Sequence, residues 1–142
     1  KPYATPAQAA QQANPGDTVL IFPSTYTGSN FIGNLHGNSS AWIYFIGVNA
    51  ETVIFSGGSQ GLHFSDVSYI KIANLSFTQH TGNAMNIDDG GIFNTPTHHI
   101  YIENCHFYNM GASGNNDFLK MSGVDDFEVR DCTFAKGAAG GS

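Results

Sequence analysis

Three short, similar segments carry polar side chains that could do chemistry together: LHFSD (62–66), MNIDD (85–89) and LKMSG (119–123). Each alternates apolar and polar residues, which is typical of a strand with one buried face. With the apolar residues inside, we predict two outward rows, one of His63, Asn86 and Lys120 and the other of Ser65, Asp88 and Ser122. A base, an amide, an ammonium and a carboxylate would then lie within about two strand spacings, ~10 Å, of each other.

The carboxylates of this region allow two further interpretations. Asp88 and Asp89, together with Asp66, could supply the paired carboxylates of an inverting glycoside hydrolase. Asp88 and Asp89 with Asn86 could instead bind Ca²⁺, which takes several oxygen ligands in a flexible arrangement. No cofactor is otherwise required, and an ordinary solvated surface remains an alternative for both rows.

A repeat predicts the strands that would position these residues. The segments YIKIANLSF (69–77), HIYIENCHF (99–107) and DFEVRDCTF (126–134) align residue for residue, at offsets of 30 and 27. Looser copies begin at Val19 and Ile43. A period of this length, with several short strands and no helix between them, predicts an all-β solenoid of parallel coils. Equivalent side chains would stack about 4.8 Å apart from turn to turn. Such stacking favours the same residue type in each turn, which explains why the nine-residue segment repeats.

The aligned positions predict three columns of side chains. Phe77, Phe107 and Phe134 would form an inward aromatic stack, and Asn74, Asn104 and Asp131 would bond the backbone at a corner. Cys105 and Cys132 would lie in one inward column, where buried free thiols are favoured and a disulfide, which is geometrically awkward between such neighbours, is the alternative.

The first sixteen residues predict a helical cap. Thr5 is a suitable N-cap, Pro6 suits the first helical position, and the segment 14–17 (NPGD) ends the helix. We therefore divide the chain into a cap (1–16) and parallel coils (17–142). Because GGS (140–142) stands where another strand is expected, the coils are predicted to be the N-terminal part of a longer solenoid. Its remainder, or a second chain, would cover the open C-terminal end.

The composition excludes some partners. The chain has 142 residues and a formal net charge of −6, from five Lys and Arg against eleven Asp and Glu. This balance argues against nucleic acid and anionic membranes, and no apolar run is long enough to span a bilayer. An acidic polymer would need a local cluster of positive charge.

These features resemble the right-handed parallel β-helix proteins of the pectate lyase-like superfamily. The opening 28 residues resemble its N-terminal cap and first coil, although Ser24 stands where a Gly is usual. The three aligned segments resemble its generic coil, and 117–134 is most similar to the branch containing chondroitinase B and alginate lyases. The resemblance implies a right-handed parallel β-helix in a secreted or cell-surface, carbohydrate-active protein.

The resemblance also implies a reaction. In polysaccharide lyases a cation or metal neutralises the carboxylate of a uronic acid, a base removes the C5 proton, and an acid protonates the leaving oxygen. Lys120 would be the base if its surroundings lowered its pKa, His63 an alternative base or acid, and Arg130 a carboxylate clamp. Substrate contacts are expected from Asn86, Asp88, Ser65, Ser122 and Tyr101.

Three expectations qualify these roles. Arg130 lies in the outward row of Ala73 and Glu103 on the next sheet, so it is predicted to pair with Glu103. A glycan-binding or adhesion solenoid without catalysis is one alternative to the lyase. A hydrolase is the other, although the Gly-His-Gly and Arg-Ile-Lys motifs of polygalacturonase-type enzymes are absent.

Overall fold

The computed structural model describes residues 2–111, 114 and 116–137. Over this range the chain is a parallel β-solenoid of about four turns with one short N-terminal helix. The all-β prediction is therefore confirmed. The segment 140–142, where a further strand was expected, lies outside the described residues. No helix in the described ranges is long and apolar enough to cross a membrane.

The helix α1 spans Pro6–Ala10 and is capped as the sequence predicts. The Thr5 hydroxyl accepts a hydrogen bond from the Gln8 backbone N–H at 3.1 Å, and Pro6 occupies the first turn. The helix ends at Ala10, sooner than the run of Ala and Gln suggested. Beyond it, Gln12 and Ala13 donate their N–H groups to the carbonyls three residues earlier, which are turns and not further α-helix. Ala10 is fully buried and closes this end of the core.

Thirteen short strands follow the helix. They are β1 Thr18–Ile21, β2 Ser24–Tyr26, β3 Asn30–His36, β4 Ile43–Gly47, β5 Val53–Ser56, β6 Leu62–Ala73, β7 Ser76–Thr78, β8 Met85–Asp88, β9 Thr97–Glu103, β10 His106–Tyr108, β11 Leu119–Ser122, β12 Val124–Arg130 and β13 Thr133–Ala135. All pairings between these strands are parallel, and each joins a strand to its counterpart one turn away.

The pairings define three faces of the solenoid. The first face contains β1, β4, the second half of β6, and the C-terminal parts of β9 and β12. The second face contains β2, β5, β7, β10 and β13. The third face contains β3, the first half of β6, β8 and β11.

Strand β6 turns from the third face to the first through two left-handed residues. Asp66 and Tyr69 both have φ near 54°. Each of them inserts one extra residue into the alternation of inward and outward side chains. Phe64, Val67 and Ile70, which are three residues apart, therefore all point into the core. This is why one continuous strand can serve two faces.

The aromatic stack is present and is longer than predicted. Phe77, Phe107 and Phe134 stack in order with ring centroids 4.9 Å apart. Phe55 and Tyr26 extend the column at 5.3 Å spacings. The looser copy at Val19 was aligned wrongly, because Val19 pairs with Phe45 rather than Ile43. A shift of two residues keeps the same side chains inside, so the predicted core survives the error.

The corner column is present, but of its three side chains only Asn74 is seen to bond the backbone in the described residues. Asn74, Asn104 and Asp131 have φ values of 60°, 51° and 53°. The Asn104 amide donates to Oδ1 of Asn74 at 2.9 Å, and the Asn74 amide donates to the Gly47 carbonyl of the preceding turn at 3.2 Å. Cys105 is buried, and both cysteines are free thiols as expected.

Candidate active site

The third face carries the two polar rows that the sequence predicts. Register pairs His63 with Asn86 and Asn86 with Lys120, and likewise Ser65 with Asp88 and Asp88 with Ser122. Their apolar neighbours Leu62, Phe64, Met85 and Ile87 are fully buried. We call these six outward residues the polar wall. Alternation along short parallel strands is sufficient to build it.

Asp88 is the centre of the polar wall. Its Oδ2 lies 2.6 Å from Nε2 of His63, and its Oδ1 accepts a hydrogen bond from the Ser65 hydroxyl at 2.6 Å. The Gly90 N–H donates to Oδ1 at 3.0 Å, and the Asn86 amide lies 3.4 Å from Oδ2. Partial burial, the largest single effect, raises the pKa of Asp88, but the hydrogen bonds from Ser65, His63 and Gly90 together bring it below its ordinary value.

The contact with Asp88 fixes the orientation of His63. A 2.6 Å distance between Nε2 and a carboxylate oxygen requires a proton between the two atoms. When the imidazole is neutral, that proton lies on Nε2 and leaves Nδ1 with a free lone pair. Phe31 packs edge-on against the ring at 5.0 Å. His63 therefore has the arrangement of an oriented base.

Lys120 presents a different chemical group on the same wall. Its strand places it one turn from Asn86 and two turns from His63. Within the described part of the chain, its ammonium forms no hydrogen bond or ion pair. The group is thus available to an external anion. Ser122 lies beyond Asp88 in the last turn of this face and is exposed.

Arg130 and Tyr101 lie on the first face and are not part of the polar wall. Arg130 is in register with Glu103, as predicted, but its guanidinium pairs with Glu128. Glu103 instead binds Lys71, whose Nζ lies 2.6 Å from Oε2. The predicted Arg130–Glu103 ion pair is therefore wrong. Lys71 reaches Glu103 diagonally across one strand spacing, and Glu128 lies on the same side of β12 as Arg130.

Asp66 and Asp89 each have a partner of their own within the fold. Asp89 is nearly buried and accepts a hydrogen bond from the Gly91 N–H at 2.8 Å, while Asp66 lies 3.6 Å from His36. Among residues 2–111, 114 and 116–137, no three His, Cys, Asp or Glu side chains are placed to hold a metal ion. Both oxygens of Asp88 already have protein partners. The Ca²⁺ site considered from the sequence, on Asp88, Asp89 and Asn86, stays a prediction.

Two contacts of the site were missed by sequence reasoning. The contact of Asp88 with His63 was not predicted, and substrate binding by Asp88 stays a prediction. Phe31 was not considered, because the segment 30–33 has little similarity to 62–65 although the two are paired in register. A weak copy of a repeat carries little sequence signal even where its backbone stacks well.

Comparison with known proteins identifies the fold. No protein-family model matches the chain, and no curated protein matches it in sequence. Among solved structures, an alginate lyase from Paenibacillus sp. str. FPU-7 matches 89% of this chain with a TM-score of 0.68 and 19% sequence identity. The chain therefore shares the parallel β-helix fold of this enzyme. This β-helix spans 40% of the length of the Paenibacillus enzyme.

Proposed function

We propose that this β-helix belongs to a polysaccharide lyase that cleaves a uronic-acid polymer by β-elimination. The observation that carries the proposal is the polar wall, where Asp88 holds His63 as an oriented base and the Lys120 ammonium has no partner among the described residues. The fold is shared with an alginate lyase, which supports a lyase scaffold but not a particular sugar. Such polymers occur outside cells, so a secreted or cell-surface location is part of the proposal.

The reaction can be assigned to residues of the wall. Lys120, with help from the Asn86 amide, would neutralise the carboxylate of the uronic acid and so acidify its C5 proton. Nδ1 of His63 would take that proton as the C4–O bond breaks and the C4=C5 double bond forms. The imidazolium, stabilised by Asp88, would then return the proton to the leaving oxygen. We prefer His63 to Lys120 as the base because only His63 has an orienting carboxylate.

Activity assays test this assignment directly. The full-length protein is incubated with a panel of uronic-acid polymers, and the ultraviolet absorbance of the unsaturated product is followed. His63→Ala should lower turnover by roughly 10²–10⁴-fold, as expected for loss of a general base. His106→Ala is the matched control, since His106 lies on the second face and contacts Thr133. Unchanged turnover in His63→Ala would remove it from the mechanism.

The same assay separates the alternatives. New reducing ends without the unsaturated product would indicate a hydrolase that uses its aspartates. Retention on an immobilised polymer without turnover would indicate a glycan-binding solenoid. A cluster of aromatic side chains on the first face favours binding as a second activity, whether or not the wall is catalytic.

A further inference from the structure

We propose that the first face carries a second glycan-binding site, separate from the polar wall, which stacks an acidic sugar residue on aromatic rings. Its residues are Trp42, Tyr69, His99 and Tyr101, here called the aromatic patch. The choice of an acidic sugar rests on the proposed function, whereas the existence of the site does not.

The rings of the aromatic patch come from successive turns and contact one another. Trp42, which immediately precedes β4, lies 4.7 Å from Tyr101 and 5.5 Å from Tyr69, measured between ring centroids. Tyr69 stacks on His99 at 4.4 Å. These contacts join β4, β6 and β9 into one aromatic surface. Tyr101 is 39% exposed, and the other three rings are half-buried, so none of them belongs to the hydrophobic core.

The backbone holds two of these rings in an unfavourable conformation. Tyr69 and His99 have φ values of 54° and 55° in the left-handed region. Bulky residues are rarely found there, and such strain persists only where the surroundings maintain it. In the corner column the equivalent conformation is taken by Asn74 and Asn104, which suit it better. Asp126 takes the same left-handed conformation at this corner one turn later, with φ of 51°, so the corner itself does not require a large ring at 69 or 99.

A cation next to the rings suits an acidic sugar. Lys71 is the register partner of Tyr101, and a cleft of about 210 Å³ next to Tyr101 is lined by Lys71 and Arg130 together with their partners Glu103 and Glu128. Lys71 and Arg130 are two of the five Lys and Arg residues in a chain of net charge −6. Both cations are paired with exposed or half-exposed glutamates, and such surface pairs contribute little. A sugar carboxylate would compete with Glu103 or Glu128 for these cations, and binding requires the displaced glutamate to turn toward solvent, while C–H groups of the pyranose pack on the ring of Tyr101.

The aromatic patch and the polar wall can contact one polymer. Strand β6 carries His63 on the third face and Tyr69 at the corner, six residues further along. At about 3.3 Å per residue, the two positions are at most ~20 Å apart. An extended polysaccharide of several residues spans this distance. The patch would then hold one part of a chain whose other part lies over the wall.

Trp42 makes the aromatic patch directly observable, because it is the only tryptophan in the sequence. The full chain is titrated with oligogalacturonate, with oligomers of mannuronate and guluronate, and with neutral cello-oligosaccharides, while Trp42 fluorescence is followed. We expect a saturable change with at least one acidic oligosaccharide. Tyr101→Ala should weaken this binding by about tenfold, as expected for loss of one stacking ring. Tyr108→Ala, on the second face, should leave it unchanged.

A second variant tests the acidic sugar without removing a ring. Lys71→Gln should weaken binding of the acidic oligosaccharide and reduce its dependence on salt. Neutral oligosaccharides that bind as well as acidic ones would overturn the choice of ligand. Binding detected by affinity electrophoresis without any change in Trp42 fluorescence would overturn the site itself, as would wild-type affinity in Tyr101→Ala. Thermal unfolding of each variant shows whether the fold is retained.

The experiment also separates this inference from the proposed reaction. His63→Ala should lose turnover and keep the Trp42 response, since His63 is not in the aromatic patch. A wild-type protein that shows the Trp42 response without forming unsaturated product would contradict the lyase and support the patch. Formation of the unsaturated product with no Trp42 response would support the lyase and contradict the aromatic patch.

Discussion

At the residue scale, the polar wall shows how one carboxylate can set the roles of its neighbours. Asp88 accepts hydrogen bonds from His63 and Ser65, so both of its carboxylate oxygens are engaged by protein groups. Lys120 on the same wall has an ammonium without a partner in the described part of the chain. In the proposed reaction a substrate carboxylate would be directed to Lys120, away from Asp88, which would place the acidic part of a sugar on one side of His63.

A buried histidine outside the wall predicts a pH dependence of stability. His80 is fully buried; Nδ1 lies 2.8 Å from the Gly57 carbonyl, and Nε2 has no hydrogen-bond partner among the described residues. Burial lowers the pKa of His80 below its ordinary value of 6.5, although hydrogen bonds to the carbonyls of Gly57 and Phe55 oppose this. As pH falls below 6.5, the unfolded chain therefore binds the proton first, and the folded state loses stability until its own lower pKa is reached.

Urea unfolding over a pH series measures this effect. The free energy of unfolding should be constant with respect to His80 above 6.5 and should decrease below it. His80→Gln should flatten that decrease. His106→Gln, at a partly exposed position on the second face, should not. An equal slope in wild type and His80→Gln would contradict the prediction.

At the scale of the elements, left-handed corners allow short strands to turn while keeping their register. Asp66 and Tyr69 turn β6 between faces, and Asn74 and Asn104 mark the next corner. The amide ladder through Asn104, Asn74 and Gly47 joins three turns at that corner. The wall and the patch both depend on these corners, because the corners determine which residues point outward.

Substitutions at Asn104 separate two contributions of a corner residue to stability: its side-chain hydrogen bond and its tolerance of the left-handed backbone conformation. Asn104→Ala should lower the free energy of unfolding by about 2 kcal/mol, since it removes a hydrogen bond and places a Cβ without a polar partner in the left-handed region. Asn104→Gly should cost less, because glycine adopts this conformation without steric strain and loses only the side-chain bond. Urea unfolding at neutral pH measures both. Equal losses for the two variants would show that backbone strain is not involved.

At the scale of the whole molecule, the last described turn has an exposed apolar interior. Phe127 and Phe134 point in the same direction as Ile100 and Phe107 one turn earlier, which are fully buried, yet they are 52% and 48% exposed. In the described part of the chain, no further turn covers them. We propose that another coil stacks here, either from the remainder of its own solenoid or from a second chain.

Sedimentation tests the proposed cover. The 142-residue chain should self-associate, and Phe134→Glu should weaken that association because it introduces a charge into the apolar face. Phe93→Glu is the matched control, since Phe93 is 90% exposed and lies in a loop outside this face. A monodisperse monomer at high concentration would contradict the proposal, as would equal association in the two variants.

The sequence by itself determined the repeat, the inward stack and the members of the polar wall. These follow from two local rules that recur in each turn: side chains alternate along a strand, and equivalent residues stack between turns. For this reason His63, Asn86 and Lys120 could be placed in one row before any coordinates were known. The first copy of the repeat was misaligned by two residues, but the predicted inward side chains are still correct, because a shift of two residues along a strand keeps the same side chains inward.

Only the tertiary structure decided which outward side chains contact one another. The contact of Asp88 with His63 and the choice of Glu103 by Lys71 depend on rotamers and on diagonal distances that no repeat encodes. Trp42 lies outside the aligned positions, so its contact with Tyr101 could not be read from the alignment. The repeat in the sequence determines which backbone segments stack on one another. The contacts among outward side chains depend on their rotamers and on the distances between them in the folded protein.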